Sequence, residues 1–392
     1  MATLCKPRAR YGAIWGALAR GLQRVAVVPQ PDGVKRSRAF ARSKHHRGTT
    51  MDHYAGIDVS LECSSVCVVD ASGKIVREGK AVSDPAALIG WFTSLGLSVV
   101  RIGLEAGPLS QWLYAAMKEA GLAVELLETR HVRDAFKAMP VKSDRNDARG
   151  IAQLMRLGWF RPVHCKSMAA QETRAVLTAR KLLQSKLRDV EASLRGTLRG
   201  FGLKVGKTTP KRFAGRIKEL VAGHPSLQAI AEALLAVHAV LLREFNGFER
   251  RVRTMARQDA KARLLMSTPG VGAIVALTFA SAIDDPARFS SSKRVGAHFG
   301  MTPKKYQSGE TDYTGRISKI GDKGVRTGLF ESAHIMLTRP VKGSALKSWA
   351  MRLAKRVGMK KAKVALARKL AVIMHRMLVE GTPFNFAAGA AA

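Results

Sequence analysis

Acidic residues are scarce in this chain beside its basic ones. Asp and Glu number 29 among 392 residues, against 66 Lys and Arg, for a formal net charge of +37. That shortage points to a polyanionic partner, bound through phosphate neutralisation and counterion release. It names only the class of partner, because any bland basic protein has the same balance. Cysteine is also sparse. Cys5, Cys63, Cys67 and Cys165 lack the paired CxxC or His spacing of a zinc site, and no secretory signal accompanies them. They read as thiols in a reducing cytoplasm. No apolar run approaches the roughly 18 to 20 residues that span a bilayer, which reads as a soluble protein without a membrane partner.

What is present is ample for folding. A hydrophobic fraction of 46% in 392 residues suffices for two or three well-formed domains. Residues 1–50 stand apart, with eleven Lys or Arg and a single acid, Asp32, before Met51. Three readings compete: a nucleic-acid-binding arm, an Arg-rich targeting peptide, or a start assigned too early with Met51 as the true initiator. The third is preferred, since no helical or strand period organises the segment.

From Tyr54 the pattern is α/β. Strands are expected at 54–59, near 65–70 and near 74–79, then a helix from Pro85 to about Leu95, the buried strand VVRIGLEA, a helix over 109–120 and the strand AVELLE. A three-stranded meander followed by alternating helices and strands describes an RNase-H-like domain, assigned to 51–160. A helix near 130–138 breaks at Pro140, and Ser143 is placed to cap the next one. Over 168–258, Leu183, Leu187, Val190 and Leu194 recur at coiled-coil spacing, with FGLKVGKTTP marking the turn. An intramolecular helical pair and a dimer seam fit that pattern equally. The last domain, 262–386, is expected to be mainly α. Its Pro269-Gly270-Val271-Gly272 turn between two apolar helices resembles a helix-hairpin-helix, in which Gly270 and Gly272 would let backbone N–H groups approach a phosphate. A plain turn is the equal alternative. Between Glu331 and Glu380 there is no acid but twelve Lys or Arg, among them Arg352, Lys355, Arg356, Lys360, Lys361 and Lys363. A solvated face normally mixes both signs, so this stretch reads as a phosphate-tracking surface.

The scarce carboxylates carry the chemistry. Asp58 ends GID on the first strand, opposite in direction to Ile57 and beside the backbone that Gly56 leaves uncovered. Glu105 closes a later strand before Gly107-Pro108, and Asp144 and Asp147 lie three apart at a helix start, on one face. Three segments could thus bring four oxygen ligands to one hard cation such as Mg²⁺ or Mn²⁺. Taken singly, each acid reads as well as a helix-terminal or turn residue.

The series GIDVS, LEAG and KSDRNDAR, then STPGVG, FGMTPKKYQSG and GRISKIGDKGVR, resembles the DEDD transposases of the IS-one-ten insertion-sequence family and the related Piv-type DNA invertases. The likeness runs from Met51 to about Phe386. It implies a RuvC-like fold for the first domain and a metal-ligand role for Asp58, Glu105, Asp144 and Asp147. It also implies a nucleophilic role for Ser308 in Tyr306-Gln307-Ser308-Gly309, a serine that would otherwise read as a turn residue. Lys304, Lys305 and Arg316, close in sequence, could neutralise charge developing on phosphorus. The resemblance further implies donor and target DNA as substrates, a noncoding bridge RNA that pairs with both, a dimer or tetramer, and a place on the nucleoid of a bacterial cytoplasm. Two other readings remain. A junction-resolving nuclease using metal-activated water leaves Ser308 idle, and a basic nucleic-acid-binding protein without activity leaves the acids unexplained.

Overall fold

The computed structural model of the chain describes residues 51–387, so the readings of residues 1–50 fall outside the described residues. The chain divides into two compact units. One joins the residues up to Lys166 with Arg288–Arg326, the other joins Ser167–Ala287 with Thr327 onward.

In the first unit, β1 (His53–Asp58), β2 (Cys63–Asp70) and β3 (Ile75–Val82) form an antiparallel meander, and β4 (Val99–Glu105) and β5 (Val124–Leu127) extend it in parallel with β1. The sheet order is β3-β2-β1-β4-β5. Because side chains alternate along a strand, each strand feeds two cores. Ala55, Ile57, Ile102 and Leu104 face α1 (Pro85–Thr93) and α2 (Ser110–Glu119), packing with Leu88, Phe92, Leu113 and Met117. Short α3 (Thr129–Ala135) follows β5. On the sheet's other face lies α4 (Asp144–Leu157), whose Ala148 and Ala152 pack with Cys67 and Val69, and whose Ile151 and Met155 pack with Leu127 and Val132. Ser143 caps α4 by accepting from Asn146 N at 3.3 Å, as its position predicts, and Gly158 ends it in the left-handed region at φ 65°.

In the second unit, α5 (Met168–Gly200) and α7 (Pro225–Gln258) pair along their length. Arg180 bonds Glu249 and Glu191 bonds His238, so one helix advances eleven residues as the other recedes eleven, and the pair is antiparallel. The chain does not return directly through the glycine-rich loop: α6 (Pro210–Val221) intervenes and inserts Phe213, Ile217 and Val221 among Leu194, Leu198, Leu227 and Leu235. The expectation of no membrane-length apolar run needs correction. Among the described residues α7 alone is long and apolar enough to cross a bilayer by length and composition. Its Leu227, Ala231 and Leu235 are packed in that helical core. Beyond it come α8 (Ala260–Met266) and α9 (Ala273–Ile283), the two apolar helices expected about the Pro-Gly turn.

Residues 288–326 hold another feature the periodicity did not announce. After α10 (Arg294–His298), a two-stranded hairpin forms from β6 (Pro303–Ser308) and β7 (Thr311–Ile317). Every residue of β6 is exposed, so no alternation of apolar and polar residues marks it in sequence. Its root is fixed: Ser318 N donates to Thr302 O at 2.9 Å, and the Arg326 guanidinium gathers the carbonyls of Phe299, Ile320 and Gly321 at 2.8 to 3.2 Å. The chain then runs through α11 (Lys323–Thr338), α12 (Ala345–Val357) and α13 (Met359–Glu380).

Candidate active site

Two glycines decide where the acids go. Gly56 of β1 and Gly103 of β4 are register partners at the centre of the sheet, both on the face toward α4. A Cβ on Gly56 would stand 2.3 Å from Ala148 O and 2.4 Å from Ala152 N, so the helix backbone lies directly on the strand. At Gly103 a Cβ would meet Met155 Cγ at 2.8 Å. The backbone at Gly56 is therefore covered, not left open as its sequence context suggested. Two residues further along each strand, on the same face, stand Asp58 and Glu105. One turn before Ala148 and Ile151, α4 begins with Asp144 and Asp147, so seating the helix on the glycine pair brings its first turn to the strand ends.

A second clamp sets the orientation of α4. Glu78 of β3 takes hydrogen bonds from Arg149 and Arg145, including Arg149 Nη2 and Arg145 Nε at 2.9 Å each. Arg149 first, with Arg145, holds the Glu78 carboxyl down to about 2 despite burial. Farther along, Gln153 donates to Gly73 O at 2.8 Å. Sequence reading passed over Glu78, and the two arginines of DRNDAR, one turn apart, were the available signal. Cys67, the register partner of Glu78, is buried and its thiol is raised to about 12, chiefly by burial, so it is an inert core residue.

The acids share one electrostatic field. Burial, then the charges of Asp147 and Asp144, raise Asp58 to about 6, while Lys142 pulls the other way. Burial, then Asp58 and Asp147, raise Glu105 to about 7, again opposed by Lys142. Asp147 is half-buried and Asp144 exposed at the rim. Two cavities meet at Glu105 and Thr129: one of about 340 Å³ reaches Asp58, and one of about 550 Å³ reaches Lys142 and Asp147. Lys142 was missed in the sequence although it directly precedes Ser143-Asp144, because a lysine in so basic a chain carries no signal.

Among the described residues no three His, Cys, Asp or Glu side chains stand close enough together to hold a metal ion. The four acids share a neighbourhood, not a finished coordination shell. Their chemistry still suits a hard divalent cation: the donors are all carboxylates, and burial and like charge raise two of them, Asp58 to about 6 and Glu105 to about 7, a penalty on the charged forms that a cation between them would offset.

Ser308 is the last residue of β6, exposed at the hairpin tip, where it pairs with Thr311 across the turn at Gly309. It is the last strand residue before that turn. Lys304, Lys305 and Arg316 are exposed on the same hairpin, Lys305 bonding Asp312 at 3.1 Å. Arg352, Lys355 and Arg356 are exposed on α12 and Lys360 and Lys361 on α13, with Lys363 half-buried. Gly270 has a φ of 83°, and a Cβ there would lie 2.6 Å from Ser332 O of α11, so the close approach that requires this glycine is to the protein's own backbone. Gly272, the N-cap of α9, has nothing within 4 Å of where a Cβ would stand.

Comparison with known proteins agrees on both halves of the chain. Residues 55–202 match the DEDD-type transposase domain of IS110, and residues 262–349 match the domain described as Transposase IS116/IS110/IS902 family. The transposase for insertion sequence element IS1111A of Coxiella burnetii (strain RSA 493 / Nine Mile phase I) is 27% identical over 364 residues, 89% of this chain and 96% of that protein. The transposase for IS1328 of Yersinia enterocolitica is 25% identical over 292 residues, 72% of this chain and 85% of its own. A putative transposase, y4pF/y4sB, of Sinorhizobium fredii (strain NBRC 101917 / NGR234) is 29% identical over 259 residues, 64% and 66% of the two chains. The chain belongs to the IS110 family of transposases, enzymes that cut and rejoin DNA.

Proposed function

We propose that this transposase exchanges DNA strands through a composite site, with Asp58, Glu105, Asp144 and Asp147 holding Mg²⁺ or Mn²⁺ and the Ser308 hydroxyl as nucleophile. The observation that carries the reading is the convergence of the four acids at the strand ends beside α4, two of them raised to about 6 and about 7. The sheet order β3-β2-β1-β4-β5, with three antiparallel strands and then two parallel additions, is the arrangement expected of an RNase-H-like or RuvC-like catalytic domain. A bound divalent cation would polarise a phosphodiester and neutralise charge in the transition state.

In this scheme the Ser308 oxygen attacks phosphorus and gives up its proton, the phosphodiester bond to the departing strand breaks, and the released oxygen leaves with the electron pair and takes up a proton. The phosphoserine linkage conserves the bond energy for rejoining to a new partner, which hydrolysis by water would not. Exposure at the tip of a hairpin leaves Ser308 accessible to a DNA strand. The acid-free stretch carrying Arg352, Lys355, Arg356, Lys360, Lys361 and Lys363 supports a surface that tracks phosphates of DNA and of a bridge RNA, and strand exchange between two duplexes calls for a dimer or tetramer.

The test is to incubate wild type and Ser308→Ala with end-labelled element-end DNA, the adjoining noncoding transcript and Mg²⁺, then denature and look for label migrating with protein. Wild type gives the adduct and Ser308→Ala gives none. An adduct that persists in the variant removes Ser308 from the role; cleavage by wild type with no adduct replaces the scheme with metal-dependent hydrolysis.

A further inference from the structure

The exposed hairpin carries a second feature next to Ser308. Tyr306 and Tyr313 are register partners across β6 and β7, and their rings stack with centroids 5.3 Å apart and planes 27° from parallel. Both stay in solvent, 51% and 57% exposed. Alternation along β6 puts Tyr306 on the same face as Ser308, and Ser308 itself pairs with Thr311, so tyrosines and serine occupy neighbouring rungs of one face, about 7 Å apart along the strand. Lys305, Gln307 and Asp312 take the other face, where Lys305 and Asp312 form their ion pair at 3.1 Å.

A structural role accounts for little of this. An aromatic cross-strand pair steadies a hairpin only slightly, and this hairpin has no buried face for the rings to seal. Its root is already tied by Arg326. Two rings clasped together on their inner sides, each with its outer face in water and with lysines and an arginine on the same ribbon, have the make-up of a stacking platform on a cationic support. Such platforms hold unpaired bases regardless of sequence, because every base has a π-face.

We propose that the Tyr306–Tyr313 pair stacks an unpaired base of the DNA strand beside the phosphate that Ser308 attacks, positioning that strand by its base while the basic side chains hold its backbone. The proposal rests on the Ser308 reading for its location and not for its chemistry, so the two can fail separately. The tyrosines are positioning residues.

The experiment uses the full chain in a Ser308→Ala background, expected under the serine scheme to bind without cutting, and a short single-stranded DNA carrying 2-aminopurine, whose fluorescence is quenched by stacking on an aromatic ring. Quenching is expected with Tyr306 and Tyr313 intact. It disappears, with affinity about fivefold to a hundredfold weaker, the range that base–aromatic stacking spans, in Tyr306→Ala/Tyr313→Ala. Tyr306→Phe/Tyr313→Phe restores both, which separates lost ring faces from a disordered hairpin. Unchanged quenching and affinity in the alanine pair overturns the proposal. So does a phenylalanine pair as defective as the alanine pair, or quenching of an RNA oligonucleotide of the same sequence with none of DNA. A wild type that quenches yet forms no covalent adduct sinks the serine scheme and leaves the stacking platform standing.

Discussion

Three Gly→Ala substitutions, each adding one methyl group to the first unit, are expected to differ in sign. At Gly56 the new Cβ meets Ala148 O at 2.3 Å and Ala152 N at 2.4 Å, both backbone atoms of α4. Neither can rotate away, so the helix itself must lift from the sheet by roughly 1 Å. Overpacking against flexible side chains costs about 1–3 kcal/mol, and against a helix backbone the cost lies at or above the upper end. For a unit of this size, about 3 kcal/mol lowers the melting temperature by roughly 6–12 °C. At Gly103 the obstacles are Met155 Cγ and Sδ and Ile151 Cγ2 at 2.8 to 2.9 Å. A methionine can re-route its chain, so the expected loss is about 1 kcal/mol. Gly90, inside α1, has nothing within 4 Å, and alanine there gains about 0.5–1 kcal/mol of helix propensity. Thermal unfolding of the three variants gives the stability order, and strand cleavage at a temperature where all are folded gives the second reading. Lifting α4 carries Asp147 away from Asp58 and Glu105, so Gly56→Ala should lose cleavage even when folded, whereas Gly90→Ala keeps it. A Gly56→Ala protein as stable and as active as Gly90→Ala would refute the claim that the glycine pair seats the helix and its acids.

Two further outcomes follow from the charges. Glu105 is raised to about 7 by burial and its neighbours, so the stability it contributes is complete below its ordinary value near 4 and is lost as pH rises to about 7. Without divalent cations Glu105→Gln should therefore be more stable than wild type at pH 8, by about 1 kcal/mol after solvent screening of a half-buried group, with no such gain at pH 4. Thermal melts in chelator at both pH values check this, and a variant less stable than wild type at pH 8 would contradict it. Glu78 is held down to about 2 by Arg149 and Arg145, so its contribution is present at neutral pH and fades as pH falls from about 4 toward 2. Glu78→Ala should loosen α4 at pH 7, seen as faster amide exchange along Asp144–Leu157, and the difference from wild type should shrink on acidification.

The sequence by itself determined the order and kind of the elements from β1 to α4. The short strand segments HYAGID and VVRIGLE, the Pro at the start of α1 and the cap at Ser143 are local signals, each contained within a few residues. The family was legible for a related reason: its acids sit at fixed distances from strand ends and helix starts, so short motifs record them. Packing alone decided the rest. That Gly56 is a seat and not an opening depends on a helix some ninety residues later. The clasp of Glu78 on Arg145 and Arg149 likewise joins segments far apart in the chain, and no local period encodes such a pairing. The hairpin bearing Ser308 escaped notice because an element with no buried face leaves no hydrophobic period, and the stacking of Tyr306 on Tyr313 exists only once the register of β6 against β7 is set. Raised carboxylates are a tertiary property of the same kind, since burial and like charge at Asp58 and Glu105 arise only when three separate segments converge.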